Sequence, residues 1–218
     1  MKTYHKIETI YQRDMNGTKK LMEGAFRDKT VEFLNSCGIQ WQFTEKVDGT
    51  NIRVHWDGHA VEFAGRTDKA QIPQKLLEKL NAIFGSPEAE ELFEQKFGEA
   101  DVILFGEGYG TGIQKGGPYR PDVSFILFDV QIGDVFLVRE SVVDIAKCFG
   151  IDAVPVVFNG TIDQGIAYVK TKPHSMLGTR EAKMEGLAGR PLVELRDRLG
   201  KRVIIKIKAS DFEDDTNG

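Results

Sequence analysis

An α+β fold, mostly antiparallel strands with flanking helices, is predicted by three features of the sequence. Two alternating runs, Thr50–Trp56 and His59–Ala64, are joined by Asp57-Gly58, a strong two-residue hairpin signal. A long stretch, 73–97, carries Leu76, Leu77, Leu80, Ile83 and Phe84 on one helical face. The remaining strand-like runs follow one another without the regular βαβ alternation of a parallel sheet.

In chain order, Tyr4–Glu8 is mixed and suits an edge strand. Asp28–Cys37 carries Val31, Phe33 and Leu34 and predicts a short helix ended by Gly38. Ile39–Phe43 alternates as a half-buried strand does and runs directly into Glu45-Lys46-Val47-Asp48-Gly49. Ser86-Pro87-Glu88 starts a second helix within 73–97. Val102–Phe105, Ser124–Val130 and Val135–Val138 are further strands, and Ser141–Phe149 is helical. Glu181–Gly186 and an alternating strand, Lys201–Ala209, close the pattern. No clear linker divides the chain. One domain over 1–210 is expected, followed by an acidic, disordered tail over 211–218.

Composition excludes several classes. Apolar residues make up 41% and charged residues 28%, the balance of an ordinary globular protein. No apolar run approaches the ~20 residues that cross a bilayer, and the N-terminus has no signal-peptide core. Cys37 and Cys148 are far apart with no CxxC spacing, which predicts buried thiols in a reducing compartment rather than zinc. A cytoplasmic location follows, of a cell or of an infected host, with no membrane association. Net charge is −4 but unevenly placed: residues 170–208 hold 11 Lys/Arg against 4 Asp/Glu, leaving the rest acidic. Such a basic third can form a positive face for phosphates.

Lys46 is the first candidate for chemistry. A lysine is normally a solvated surface charge, but this one follows an apolar strand and precedes Asp48-Gly49, which turns the chain sharply. The amine is therefore expected at the rim of a sheet, where neighbouring cations would favour the loss of its proton. Lys206 and Lys208 alternate with Ile205 and Ile207, so both ammonium groups share one strand face and can hold adjacent phosphates. The glycines of Gly106-Glu107-Gly108-Tyr109-Gly110-Thr111-Gly112 fit neither GxGxxG nor a P-loop. They leave Glu107 free to approach a ligand. His55 and His59 flank the Asp57-Gly58 turn and are expected to be hairpin neighbours rather than helical metal ligands.

Lys46-Val47-Asp48-Gly49 resembles the Lys-x-Asp-Gly attachment motif of the covalent nucleotidyltransferases, which include DNA ligases, RNA ligases and capping enzymes. The other motifs follow in order: Arg66 in Ala64-Gly65-Arg66-Thr67, Phe105-Gly106-Glu107-Gly108, Phe125–Val130, Glu185-Gly186, and Ile204–Lys208. Glu45 before Lys46, and Gly112–Gly117 with Lys115, are similar to the RNA ligase 2-type branch.

The resemblance implies an adenylyltransferase domain with an ATP-grasp-like ligase core. It implies Lys46 as nucleophile with Lys206 and Lys208 on the phosphates. It further implies Glu45, Asn51, Arg66, Glu107 (on the ribose) and Phe128 (stacked on the base) as nucleotide contacts, Glu185 as the metal-associated residue, and Lys115 on nucleic-acid phosphate. ATP and Mg²⁺, or Mn²⁺, are the implied cofactors. RNA ends are the implied partner, with an RNA/DNA hybrid as the variant, and a monomer is expected. Ten residues follow Lys208, too few for an OB-fold or a small helical domain, so a minimal enzyme or a shortened one is expected. A DNA-nick ligase, a GTP-using capping enzyme and a non-catalytic end-binding module remain the alternatives.

Overall fold

The computed structural model describes residues 1–17, 21–178 and 181–212. The chain forms two compact units, one of residues 1–4 and 48–154, the other of residues 5–47 and 155–218. The structure is of the α+β class, and its strands are mostly antiparallel.

The first unit contains β4 (Thr50–Trp56), β5 (Val61–Gly65), β6 (Val102–Gly110), β7 (Val123–Ile132), β8 (Val135–Phe136) and β9 (Asp152–Ala153). They form one sheet in the order β5-β4-β6-β7-β8, with β9 parallel to β7. Its helices are α2 (Gln74–Phe84), α3 (Pro87–Phe97) and α4 (Arg139–Cys148). Alternation sorts β4 cleanly. Ile52, Val54 and Trp56 join Leu76, Leu80, Phe84, Phe93, Leu104, Phe125 and Leu127 in the core, and Asn51, Arg53 and His55 take the other face. Ser86 caps α3 and Pro87 opens it, as expected.

The second unit contains β1 (Tyr11–Arg13), β2 (Leu21–Phe26), β3 (Trp41–Lys46), β10 (Val156–Gly160), β11 (Gly186–Pro191) and β12 (Ile205–Lys208). The last four form a sheet in the order β10-β3-β11-β12, and β1 pairs β2 separately. The helices α1 (Lys29–Ser36) and α5 (Ile162–Lys170) contribute Val31, Leu34, Ile162, Ile166 and Val169 to a core with Trp41, Phe43, Leu187, Ile205 and Ile207. Asp28 caps α1 by accepting from the amides of Thr30 and Val31. Thr161 and Gln164 form a reciprocal capping box on α5.

Several expectations need correction. Tyr4–Glu8 is not a strand; instead the Tyr4 ring packs edge-on against Phe105, Phe128 and Phe136, and its hydroxyl donates to Asp129 at 2.8 Å. The strand at Val102–Phe105 continues to Gly110. Both cysteines are exposed, not buried, because each lies at the C-terminal end of a surface helix. Of the expected tail, Asp211 and Phe212 close a 3-10 turn (Ala209–Phe212) and Asp211 pairs with Arg13; residues 213–218 lie outside the described residues. The β1–β2 pair, β10 and α5 were not anticipated.

Arg53 is fully buried on the sheet face opposite the helices. Its guanidinium donates to the carbonyls of Gly65 (2.8 Å), Met1 and Lys2 (3.1 Å each) and to Asp68 (2.8 Å). Truncating it strands these acceptors, so Arg53→Ala is expected to cost about 2–3 kcal/mol in urea unfolding. A change below roughly 0.5 kcal/mol, the range of ordinary surface substitutions, would contradict this role.

Candidate active site

The second unit brings three of the predicted residues together. In the register of the sheet, Lys46 of β3 and Lys208 of β12 both lie opposite Gly186 of β11. Glu185 immediately precedes Gly186. Its carboxylate accepts from Lys46 Nζ at 2.5 Å and pairs with Lys208 Nζ at 3.0 Å, one oxygen to each lysine. The three side chains are 18–32% exposed, so the triad is accessible yet partly shielded from bulk water. The next row of the same face is Thr44, Ala188 and Lys206. Lys206 thus follows Lys208 along one face, as alternation predicts, while Ile205 and Ile207 enter the core. Between the lysines the central strand offers only Gly186 and Ala188, so the floor of this face stays low. A Cβ on Gly186 would lie 2.1 Å from the carbonyl oxygen of Ile207, which excludes any larger residue after Glu185.

Glu45 has the opposite parity. It shares its side with Trp41 and Phe43 and is buried. Its carboxylate accepts from the Ser175 hydroxyl and from the Met176 amide at 2.8 Å. Burial pushes its carboxyl above the usual range, and the two hydrogen bonds oppose that shift. Ser175 and Met176 had no recognisable signal in the sequence, but the buried parity of Glu45 was readable from Trp41 and Phe43.

In the first unit, Asn51 lies opposite Glu107 across β4 and β6. The turn after Lys46 rests on the same place: a Cβ on Gly49 would lie 2.5 Å from the Gly108 carbonyl and 3.3 Å from Glu107 Cβ. Only glycine permits this approach. The Asp48 amide donates to the buried Tyr119 hydroxyl at 3.3 Å, a support not anticipated. Gly106 and Gly108 lie against Phe125 and Leu76 on the core side, so these glycines serve packing rather than access to Glu107.

Phe128 sits at a register shift of β7. It is half-buried and packs edge-on against Tyr4 at 5.1 Å. Arg66 is exposed just beyond Gly65, in the segment that Arg53 holds through Gly65 and Asp68. Lys115 is an exposed residue of the loop after β6. His55 bonds Asp101 at 2.6 Å and faces Glu62 across the hairpin.

Among the described residues, no group of three or more His, Cys, Asp or Glu side chains could hold a metal by itself. Glu185 is a carboxylate held between the ammonium groups of Lys46 and Lys208. That donor set suits a cation completed by substrate phosphates and water, the coordination Mg²⁺ favours.

The family model described as RNA ligase matches residues 39–208. No curated protein sequence matches the chain. Among solved structures, a Lys→Met variant of Naegleria gruberi RNA ligase with AMP and Mn superposes with a TM-score of 0.63 at 19% identity, covering 84% of this chain and 53% of that one. A Glu→Ala variant of the same ligase with ATP and Mn gives 0.62 at 20% identity, covering 82% and 52%. A Lys→Ala variant with ATP and Mn gives 0.65 at 19%, covering 94% and 57%. The chain therefore spans about half the length of these relatives and shares their fold. With more than half of its residues matched to the family model, the chain belongs to the RNA ligase family.

Proposed function

We propose that the chain is an ATP-dependent ligase that joins RNA 3′-OH to 5′-phosphate ends through an AMP carried on Lys46. The observation that carries this reading is the Lys46–Glu185–Lys208 triad at the open end of the β3-β11-β12 sheet. Family membership supports it, as do the AMP, ATP and Mn of the Naegleria gruberi structures.

In the first step Lys46 Nζ attacks the α-phosphorus of ATP. A P–N bond forms, the P–O bond to pyrophosphate breaks, and the amine sheds its protons. Glu185 already accepts a hydrogen bond from Nζ; it orients the amine and is the acceptor nearest to the departing proton. Lys208 and Lys206 lie on the same face and hold the negative charge that grows on the phosphate oxygens. Glu185 is the residue that would hold a divalent cation, and such an ion supplies charge stabilisation at phosphorus. In the second step a 5′-phosphate displaces Lys46 from the AMP, giving a 5′-5′ phosphoanhydride. In the third a 3′-OH attacks the terminal phosphorus, the phosphodiester forms and AMP leaves.

For the nucleotide, Glu107 takes the ribose and Phe128 the base, with Asn51 and Arg66 as further nucleotide contacts. Lys115 contacts nucleic-acid phosphate. Glu45, expected to touch the nucleotide, is instead buried on the other side of β3 with both oxygens engaged by Ser175 and Met176, so it supports the strand that carries Lys46. The substrate ends are RNA or an RNA/DNA hybrid, and the working form is a monomer. No helix among the described residues is long and apolar enough to cross a membrane.

Lys46→Ala is expected to abolish labelling by α-labelled ATP, while GTP labels neither form. Label retained on Lys46→Ala would refute the nucleophile, and GTP labelling would point to capping chemistry. A panel of RNA, DNA and hybrid nicks then assigns the sealed strands.

Glu45 supplies a pH test. Its carboxyl is raised in the folded state, so its contribution to stability is present below the unfolded value of about 4.3 and is lost as pH rises through the raised value. Glu45→Gln keeps an acceptor without the charge. Relative to the native chain its melting temperature should therefore climb as pH rises through that window. A pH-independent difference would contradict the desolvated carboxylate.

A further inference from the structure

A groove in the first unit has no part in the nucleotide chemistry above. Its volume is about 410 Å³, and it is lined by Lys75, Lys79, Thr111, Pro121, Asp122 and Val123. The two lysines stand one turn apart on α2, so their Cβ atoms are about 5–6 Å apart on one helix face. Among the described residues neither lysine forms an ion pair, although acidic side chains are plentiful on this helix-bearing unit. Asp122, the acid in the groove, is already taken. Arg120 grips both its oxygens, at 2.6 and 3.0 Å. Those hydrogen bonds hold the Asp122 carboxyl below its usual range, and Lys79 adds a smaller pull. The lining carries two lysines against one carboxylate, and that carboxylate is paired with Arg120.

The rim is also braced. Thr111 donates through both its amide and its hydroxyl to the Arg120 carbonyl, at 3.2 and 3.1 Å. Arg120 lies over the Tyr109 ring, 5.5 Å from its centroid, and bonds its hydroxyl. The loop that carries Lys115 is thereby tied to the strand end that carries Asp122. Pro121 and Val123 give the groove an apolar wall beside its charged one. Unpaired lysines along one wall and apolar surface along the other match a polynucleotide strand, whose phosphates and sugars alternate.

We infer that this groove is a track for the phosphodiester backbone of the RNA substrate, with Lys75 and Lys79 on successive phosphates. The choice of RNA rests on the ligase reading; the anion site rests on the groove itself. Phosphate contacts of this kind position a strand without reading its sequence.

The test uses the whole chain and a labelled, 5′-phosphorylated oligoribonucleotide, with binding followed by fluorescence anisotropy across a salt series. Lys75→Ala/Lys79→Ala is expected to weaken binding at every sequence tried and to reduce the slope of log K against log salt by about 0.7 per lysine, the single-strand value. Lys75→Arg/Lys79→Arg should restore both, which separates charge from any loss of fold. Self-adenylylation, a step without RNA, should keep its rate in the alanine variant. Unchanged affinity and slope would overturn the inference. So would a loss of lysyl-AMP formation with intact RNA binding, which would make the groove a site for nucleotide phosphates. A native chain that forms no lysyl-AMP at all would instead sink the ligase reading, while the anisotropy series would still decide the groove.

Discussion

One carboxylate between two ammonium groups organises the second unit. Glu185 meets Lys46 on one oxygen and Lys208 on the other, and this is possible only because three strands end in one row. Lys46, Gly186 and Lys208 are cross-strand neighbours in register. A one-residue slip of β3 or β12 would send its lysine into the core side, since strand side chains alternate. The core residues Trp41, Phe43, Leu187, Ile205 and Ile207 prevent that slip. The same burial that stabilises the sheet therefore sets the geometry of the charged row above it.

Charge placement on the two faces of β3 shows how narrow this control is. Lys46 takes the open face, where it stays partly exposed. Glu45, one residue earlier, is carried to the buried side and needs Ser175 and Met176 to satisfy it. Beyond Lys46 the chain passes into the first unit, and there Gly49 must lie flat against Gly108. The Lys-x-Asp-Gly sequence is thus a packing requirement as much as a chemical one. The lysine needs the strand end, and the glycine needs the close approach that follows.

Much of this was legible in the sequence. Period-two runs located β3, β4 and β12, a continuous apolar run located β7, and the helical face of α2 followed from its leucines. The common face of Lys206 and Lys208 came from simple alternation. The ordered motifs then pointed to Glu185, whose contact with Lys46 spans 139 positions of sequence and no local pattern predicts it. What escaped reading was mostly long-range. Arg53 looks like any outward-facing arginine in a strand, yet the Met1 and Lys2 carbonyls bury it. Tyr4 looks like part of an edge strand, but its ring finds three phenylalanines and its hydroxyl finds Asp129. The register shift at Phe128 likewise has no local signature.

The central claim is that Lys46 carries AMP covalently, and peptide mass spectrometry of the native chain after incubation with ATP and a divalent cation tests it most directly. An AMP adduct confined to the peptide containing Lys46, labile to acid as a phosphoramidate is and discharged on adding RNA with a 5′-phosphate, is the predicted result. No adduct, or an adduct on another side chain, would contradict it.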